Sequence, residues 1–190
     1  MVLALDRDRR GSDRQEVCLT GAQNPAKHPA MLTDRYHDLA THRLDDTRRA
    51  EFGIDPDWHF GIERRARWSE MDPFRHVNHA TYFEWYEEAR NLYLETLGLP
   101  PLAPDVPGPV LAETTAKYVK PLIYGDVVMV TARTASMGRT SLVMEYAVWK
   151  DGCAASGRGV IVLVVNDTGE KTPIPDGLRA AITDLEGRTF

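Results

Sequence analysis

The chain has 190 residues, with 23 Lys and Arg against 28 Asp and Glu, a formal net charge of -5 and 43% hydrophobic residues. That length suits one domain with an appendage, and the mildly acidic balance offers no field that would draw in nucleic acid or an anionic membrane. No apolar run approaches the roughly 18 residues of a transmembrane helix, the opening residues are too brief an apolar stretch for a secretion signal, and two cysteines, Cys18 and Cys153, make a disulfide framework or zinc ribbon unexpected.

These features point to a cytoplasmic protein that neither binds nucleic acid nor inserts into a membrane. Residues 1–56 carry nine basic and ten acidic side chains, with Tyr36 and Phe52 as the aromatics. Their apolar residues are isolated, so burial there cannot offset the entropy of ordering. The segment is expected to be a weakly ordered or partly helical extension. Residues 1–30 read as disordered, with Met31 an alternative start, and 33–50 as a solvated helix held by i,i+4 charge pairs. Neither a basic stripe nor a helix-turn-helix pattern is visible in it.

The texture changes at Asp57, and all four tryptophans follow it. The partial alternation of Trp58, Phe60 and Ile62 predicts a first strand over 58–68. A turn over 70–77 leads into a long helix over 78–97. Asn78 is its natural cap, Phe83, Tyr86, Ala89, Tyr93 and Leu97 recur at helical spacing, and Gly98 marks its stop. Apolar residues fill more than one stripe, which makes this helix central. Five prolines within 100–109 predict a stiff loop. Strands are expected over 110–120, 126–136, 140–150 and 158–166. The last holds Val160–Val165, apolar on both faces, and reads as buried and central. Residues 176–190 read as a short C-terminal helix or tail. One aromatic-rich helix followed by antiparallel strands predicts an α+β layer in which the sheet wraps the helix.

The densest chemistry lies in Asp72-Pro-Phe-Arg-His-Val-Asn-His-Ala-Thr-Tyr-Phe-Glu-Trp-Tyr-Glu-Glu-Ala-Arg90. An acid, two histidines and an amide meet there at a strand-to-helix junction. Unpaired N–H groups at a helix start carry partial positive charge and can hold an oxyanion. An acid a few residues upstream can serve as nucleophile or as base for water. These are the parts for hydrolysing an acyl ester. Each residue also has a plainer explanation. Asp72 can start a turn, Asn78 can cap the helix, and Glu87 and Arg90 can pair at i,i+3. His76 and His79 have metal-compatible spacing without a third ligand.

The segment 72–90 resembles the signature of hotdog-fold thioesterases of the 4-hydroxybenzoyl-CoA and acyl-CoA thioesterase type. The residues that carry the likeness are Asp72, His76-Val-Asn-His-Ala80, Tyr82-Phe83, Trp85-Tyr86 and Glu87-Glu-Ala-Arg90, with Tyr118-Val-Lys-Pro121 and Gly125-Asp126 farther on. The resemblance covers about 57–175 and implies a hotdog domain there, a long helix wrapped by five or six antiparallel strands. It also implies a homodimer or homotetramer with active sites at the subunit interface, and an acyl-CoA or acyl-carrier-protein thioester as substrate. Asp72 would be nucleophile or general base and the backbone N–H of His79 the oxyanion donor. His76, Asn78 and Tyr82 would be substrate contacts, with neither metal nor cofactor required. Arg75, which the family does not supply, could contact a phosphate or a substrate carboxylate from the mouth of the site. Glu84 and Glu87 are alternative acids on the helix, and Lys117 or Lys120 could meet CoA phosphates.

Arg75 stands where the family usually has glycine, so the turn before His76 is expected to be reshaped. Two other readings stand beside hydrolysis: a non-catalytic acyl-CoA-binding or regulatory protein, and a hotdog hydratase or dehydratase, for which no second acid–base pair is evident.

Overall fold

A computed structural model describes residues 38–99 and 107–190. The expectations for residues 1–30, for Met31 and for the proline-rich stretch 100–106 lie outside the described residues.

Among the described residues four helices and five strands follow in chain order: α1 Leu39–His42, α2 Asp46–Phe52, β1 Gly61–Arg65, α3 His79–Thr96, β2 Gly108–Tyr118, β3 Val127–Met137, β4 Ser141–Trp149, β5 Cys153–Val164 and α4 Asp176–Glu186. The strands form one antiparallel sheet in the order β1-β3-β4-β5-β2. The sheet curls around α3. This is the α+β hotdog architecture, with five strands.

Alternation along the strands explains how α3 is held. Val128, Val130 and Ala132 of β3, and Leu142, Met144, Tyr146 and Val148 of β4, turn one face of the sheet toward the helix. From α3, Tyr82, Trp85, Tyr86, Ala89 and Tyr93 are buried in the same core. Asn78 caps the helix as expected, its side-chain oxygen accepting the Ala80 N–H at 2.9 Å. Gly98 follows the last turn with φ 96°.

The opposite face of the sheet is covered too, and this corrects one expectation. Residues 38–56 contain α1 and α2 and are packed rather than solvated. Leu44, Phe52 and Ile54, with Trp58, form a second core against Met129, Ala147 and Trp149. Each apolar residue is isolated in sequence, yet all meet on one surface supplied by β3 and β4. Trp58 and Trp149 meet edge to face at 5.9 Å, and the Arg133 guanidinium lies 4.3 Å over the Trp58 ring. Where α2 ends, Gly53 takes a positive φ of 68° and the Gly152 N–H donates to the Phe52 carbonyl at 3.0 Å.

Three strands differ from expectation, and β1 spans only Gly61–Arg65 of the expected 58–68. β5 begins at Cys153, five residues before the expected start at 158, so the small residues from Cys153 to Gly157 are paired sheet. The small residues make room for rings: a Cβ on Gly157 would lie 2.6 Å from Tyr86 Cε2. Ile161 and Leu163 are fully buried, whereas Val160, Val162 and Val164 are half-buried. The outer cover does not extend over them, so this strand is interior but buried on one face. β2 begins at Gly108 and includes Pro109, which an edge strand tolerates.

Among the described residues no helix is long and apolar enough to cross a membrane.

Candidate active site

A short 3-10 turn, Trp68–Glu70, leads from β1 into the loop that carries Asp72. Glu70 joins this loop to the helix at two points, Asn78 and Trp85, and closes the loop on itself at Arg67. Its carbonyl accepts the Asn78 N–H at 2.8 Å, and its carboxylate accepts the Arg67 N–H at 2.6 Å and the Trp85 indole N–H at 3.2 Å. An isolated bridge between Met71 and Val77 then closes a tight turn over 72–76. The Asp72 N–H donates to the His76 carbonyl at 2.8 Å, and the Arg75 N–H to the Asp72 carbonyl at 3.0 Å.

Within this turn Asp72 Oδ1 accepts two backbone N–H groups, from Phe74 at 2.8 Å and His76 at 3.1 Å. These bonds fix the carboxylate. Among the described residues Oδ2 takes no hydrogen bond. Arg75 has φ 66°. The turn therefore keeps the left-handed geometry that glycine would give, at a cost in strain. The expected reshaping does not occur in the backbone.

Asp72 borders two cavities. One is a cleft of about 350 Å³ with His76, Val77, His79, Tyr82, Tyr118 and Lys120 in its walls. The other is a groove of about 770 Å³ walled by Trp68, Met71, Pro73, Arg75, Ile123 and Tyr124.

In the cleft, His79 opens α3, so its N–H has no acceptor within the helix. The Ala80 and Thr81 N–H groups are taken by the Asn78 side chain and carbonyl. The Tyr118 hydroxyl donates to the His79 carbonyl at 3.1 Å, and its ring meets Tyr82 edge to face at 5.1 Å. Burial pushes the Tyr82 hydroxyl up to about 12, so it stays protonated at neutral pH. Lys120 Nζ donates to the Asp151 carbonyl at 2.8 Å.

The sequence candidates thus separate. Asp72, His76, His79, Tyr82 and Lys120 come together. Asn78 works as a cap and borders neither cavity, while Arg75 faces the groove. Lys117 of β2 lines a separate cavity with Arg133 of β3, Glu145 of β4 and Arg158 of β5, one that Asp72 does not border. Lys150 pairs with Asp126 at 2.5 Å. Glu84 and Glu87 are exposed on α3, with Glu87 3.5 Å from Arg90. Neither borders the Asp72 cavities. No cluster of three His, Cys, Asp or Glu suited to a metal occurs among the described residues.

Sequence reasoning missed Glu70 and the groove residues Trp68, Ile123 and Tyr124. Glu70 had no local signal, because the residue three before it is Arg67 rather than a Ser or Thr that would announce a capping acid. The groove had none, because its walls come from two distant segments.

A family profile described as the thioesterase-like superfamily matches residues 66–182. The chain belongs to the thioesterase-like superfamily. A thioesterase-superfamily structure from Jannaschia sp. CCS1 is 30% identical, covering 77% of this chain and 94% of that one, with a TM-score of 0.70. A thioesterase from Thermus thermophilus, solved with coenzyme A and zinc, is 33% identical over 68% of this chain and 96% of its own, with a TM-score of 0.58. A chloroplastic acyl-acyl carrier protein thioesterase of Arabidopsis thaliana is 28% identical over 91 residues, 47% of this chain and 48% of that one. Thioester hydrolysis is the chemistry these relatives share by name. The superfamily match spans the Asp72 turn, α3 and the whole sheet except β1, and leaves out the outer cover built from residues 38–58.

Proposed function

We propose that this superfamily member is an acyl-CoA thioesterase in which Asp72 does the chemistry and the first turn of α3 holds the carbonyl oxygen. The observation that carries the reading is a carboxylate fixed through one oxygen, bordering the same cleft as the residue that opens α3. The thioester carbonyl oxygen points at the His79 N–H. Asp72 Oδ2 takes a proton from water as the water oxygen bonds to the acyl carbon. The carbonyl electrons move onto oxygen, where the helix start carries partial positive charge. Collapse re-forms the carbonyl and breaks the C–S bond, and the departing thiolate takes the proton from Asp72. Free acid and CoA result. Direct attack by Asp72 would give a mixed anhydride for water to open, with the same groups in the same places.

His76, Tyr82 and Lys120 supply polar contacts for the thiol side of the substrate, and the CoA held by the Thermus thermophilus relative supports CoA as that side. Asn78 contributes by holding the helix start. We read the working form as a homodimer or a pair of dimers. β2 is an edge strand with Val110 and Leu111 exposed, a surface suited to a second copy.

Thiol release from a panel of acyl-CoAs tests the reading, comparing wild type with Asp72→Asn. A rate that falls by about 10²-fold or more supports it. Equal rates move the chemistry to Glu84 or Glu87. Tight binding without turnover makes this an acyl-CoA-binding protein.

A further inference from the structure

Trp68, Ile123 and Tyr124 are 77%, 52% and 61% exposed. Three large apolar side chains left in water beside an acid is an arrangement that an apolar ligand would explain. Their positions are firmly set. The Trp68 and Tyr124 rings brace each other edge to face at 5.8 Å. The two segments that carry them are tied by backbone bonds, Gly125 N–H to Ala66 O at 2.9 Å and Ala66 N–H to Asp126 O at 2.8 Å. Asp126 Oδ2 accepts the Ile123 N–H at 2.9 Å, and its other oxygen pairs with Lys150. The wall is therefore preformed, which lowers the ordering cost of binding.

Asp72 borders this groove as well as the polar cleft, so a thioester placed at its carboxylate has one arm on each side. The cleft offers His76, His79 and Lys120, suited to the polar thiol arm, while the groove offers Trp68, Met71, Ile123 and Tyr124. A groove of about 770 Å³ lies within the range that buries a drug-sized ligand, far more than a short acyl group fills.

We propose that this groove is the acyl arm of the active site and that the substrate carries a long or bulky apolar acyl group. The proposal rests on the thioesterase reading and extends it to the substrate class. Arg75 at the rim limits how far the apolar wall runs, so the acyl group ends there or exposes its tail.

The test compares octanoyl-CoA with butanoyl-CoA on the full chain, in wild type, Trp68→Ala and Ile123→Asp. Both residues are more than half exposed, so both variants retain the core. Wild type should favour octanoyl-CoA, and the octanoyl-to-butanoyl ratio of kcat/KM should fall about 10-fold or more in each variant. A ratio unchanged in both variants, with wild-type turnover intact, overturns the groove and leaves the thioesterase reading standing. Should wild type turn over neither ester, octanoate binding by calorimetry separates the two ideas. Binding that is lost in Ile123→Asp upholds the groove while the hydrolysis reading fails, and no binding in wild type overturns the groove.

Discussion

The Tyr118 hydroxyl donates to the backbone carbonyl of His79 at 3.1 Å, joining the last residue of β2 to the first residue of α3. His79 borders the cleft beside Asp72, so the bond holds in place the residue that opens the helix. Tyr118→Phe keeps the ring against Tyr82 and deletes the donor. A neutral, partly exposed hydrogen bond contributes about 0.5–1.5 kcal/mol. The expected result is a fall in kcat of less than about 10-fold with KM little changed, read by thiol release. A loss as large as that of Asp72→Asn would make the Tyr118 hydroxyl a direct participant.

Arg75 tests the turn. Its φ of 66° costs a non-glycine residue about 1–2 kcal/mol, and glycine loses part of that gain through its freer unfolded chain. Arg75→Gly should raise the unfolding free energy by about 0.5–1 kcal/mol in urea titrations. A loss of stability would mean that the guanidinium makes a compensating contact.

Glu70 tests how the Asp72 loop is held to the helix. Glu70→Ala strands the buried Trp85 indole N–H and frees the Arg67 N–H, at a cost of about 1–3 kcal/mol. Asp72 would lose its fixed relation to the helix start, so kcat should fall while Glu70→Gln, which keeps an accepting oxygen, retains most of it. Equal activity in all three proteins would separate the loop's stability from its chemistry.

Phe52→Ala tests whether the outer cover belongs to the fold. The ring is 5% exposed in the second core, and Phe-to-Ala changes at buried sites cost about 3–5 kcal/mol. A single, cooperative unfolding transition at lower denaturant is expected. An unchanged midpoint would mean that residues 38–56 contribute little.

Glu186 gives a pH dependence. It is 8% exposed, and its Oε1 accepts the Tyr93 hydroxyl at 2.6 Å and the Thr134 N–H at 3.1 Å. Burial is the largest influence and raises its carboxyl above the ordinary value, against the opposing pull of those donors and of His59 and Arg188. The folded state then binds this proton more tightly than the unfolded chain. Its contribution to stability is full in acid, below the unfolded value, and is lost as pH rises through the raised folded value. Glu186→Gln keeps the accepting oxygen without the charge. It should match wild type in acid and exceed it at neutral pH, in urea titrations across that range. A variant less stable than wild type at neutral pH would show that the charged form is well accommodated.

What could be read from the sequence was what is local in sequence. Asn78, the helical spacing from Phe83 to Leu97 and Gly98 sit within one element, and the structure has them as expected. The Asp72 turn was legible for the same reason, since its hydrogen bonds run between residues at most four apart. The start of β5 was not, because Gly157 is small to admit Tyr86, a residue from another element. Leu44, Phe52 and Ile54 gave no periodic signal because the surface that buries them comes from β3 and β4. The groove escaped notice because Trp68 and Tyr124 come from segments more than fifty residues apart, brought together by bonds at Ala66, Gly125 and Asp126 and by the contact of the two rings.

The outer cover sets an order on biosynthesis. Trp58 leaves the ribosome well before Trp149, against which it packs. At about 5–20 residues per second, the 91 residues added after Trp58 up to and including Trp149 (149 minus 58) take roughly 5–18 s to make. Until β3 and β4 have been made, Phe52, Ile54 and Trp58 lack the surface that buries them. The nascent chain therefore carries this adhesive aromatic segment incompletely covered for about half of its synthesis, the period in which a chaperone would have most to protect.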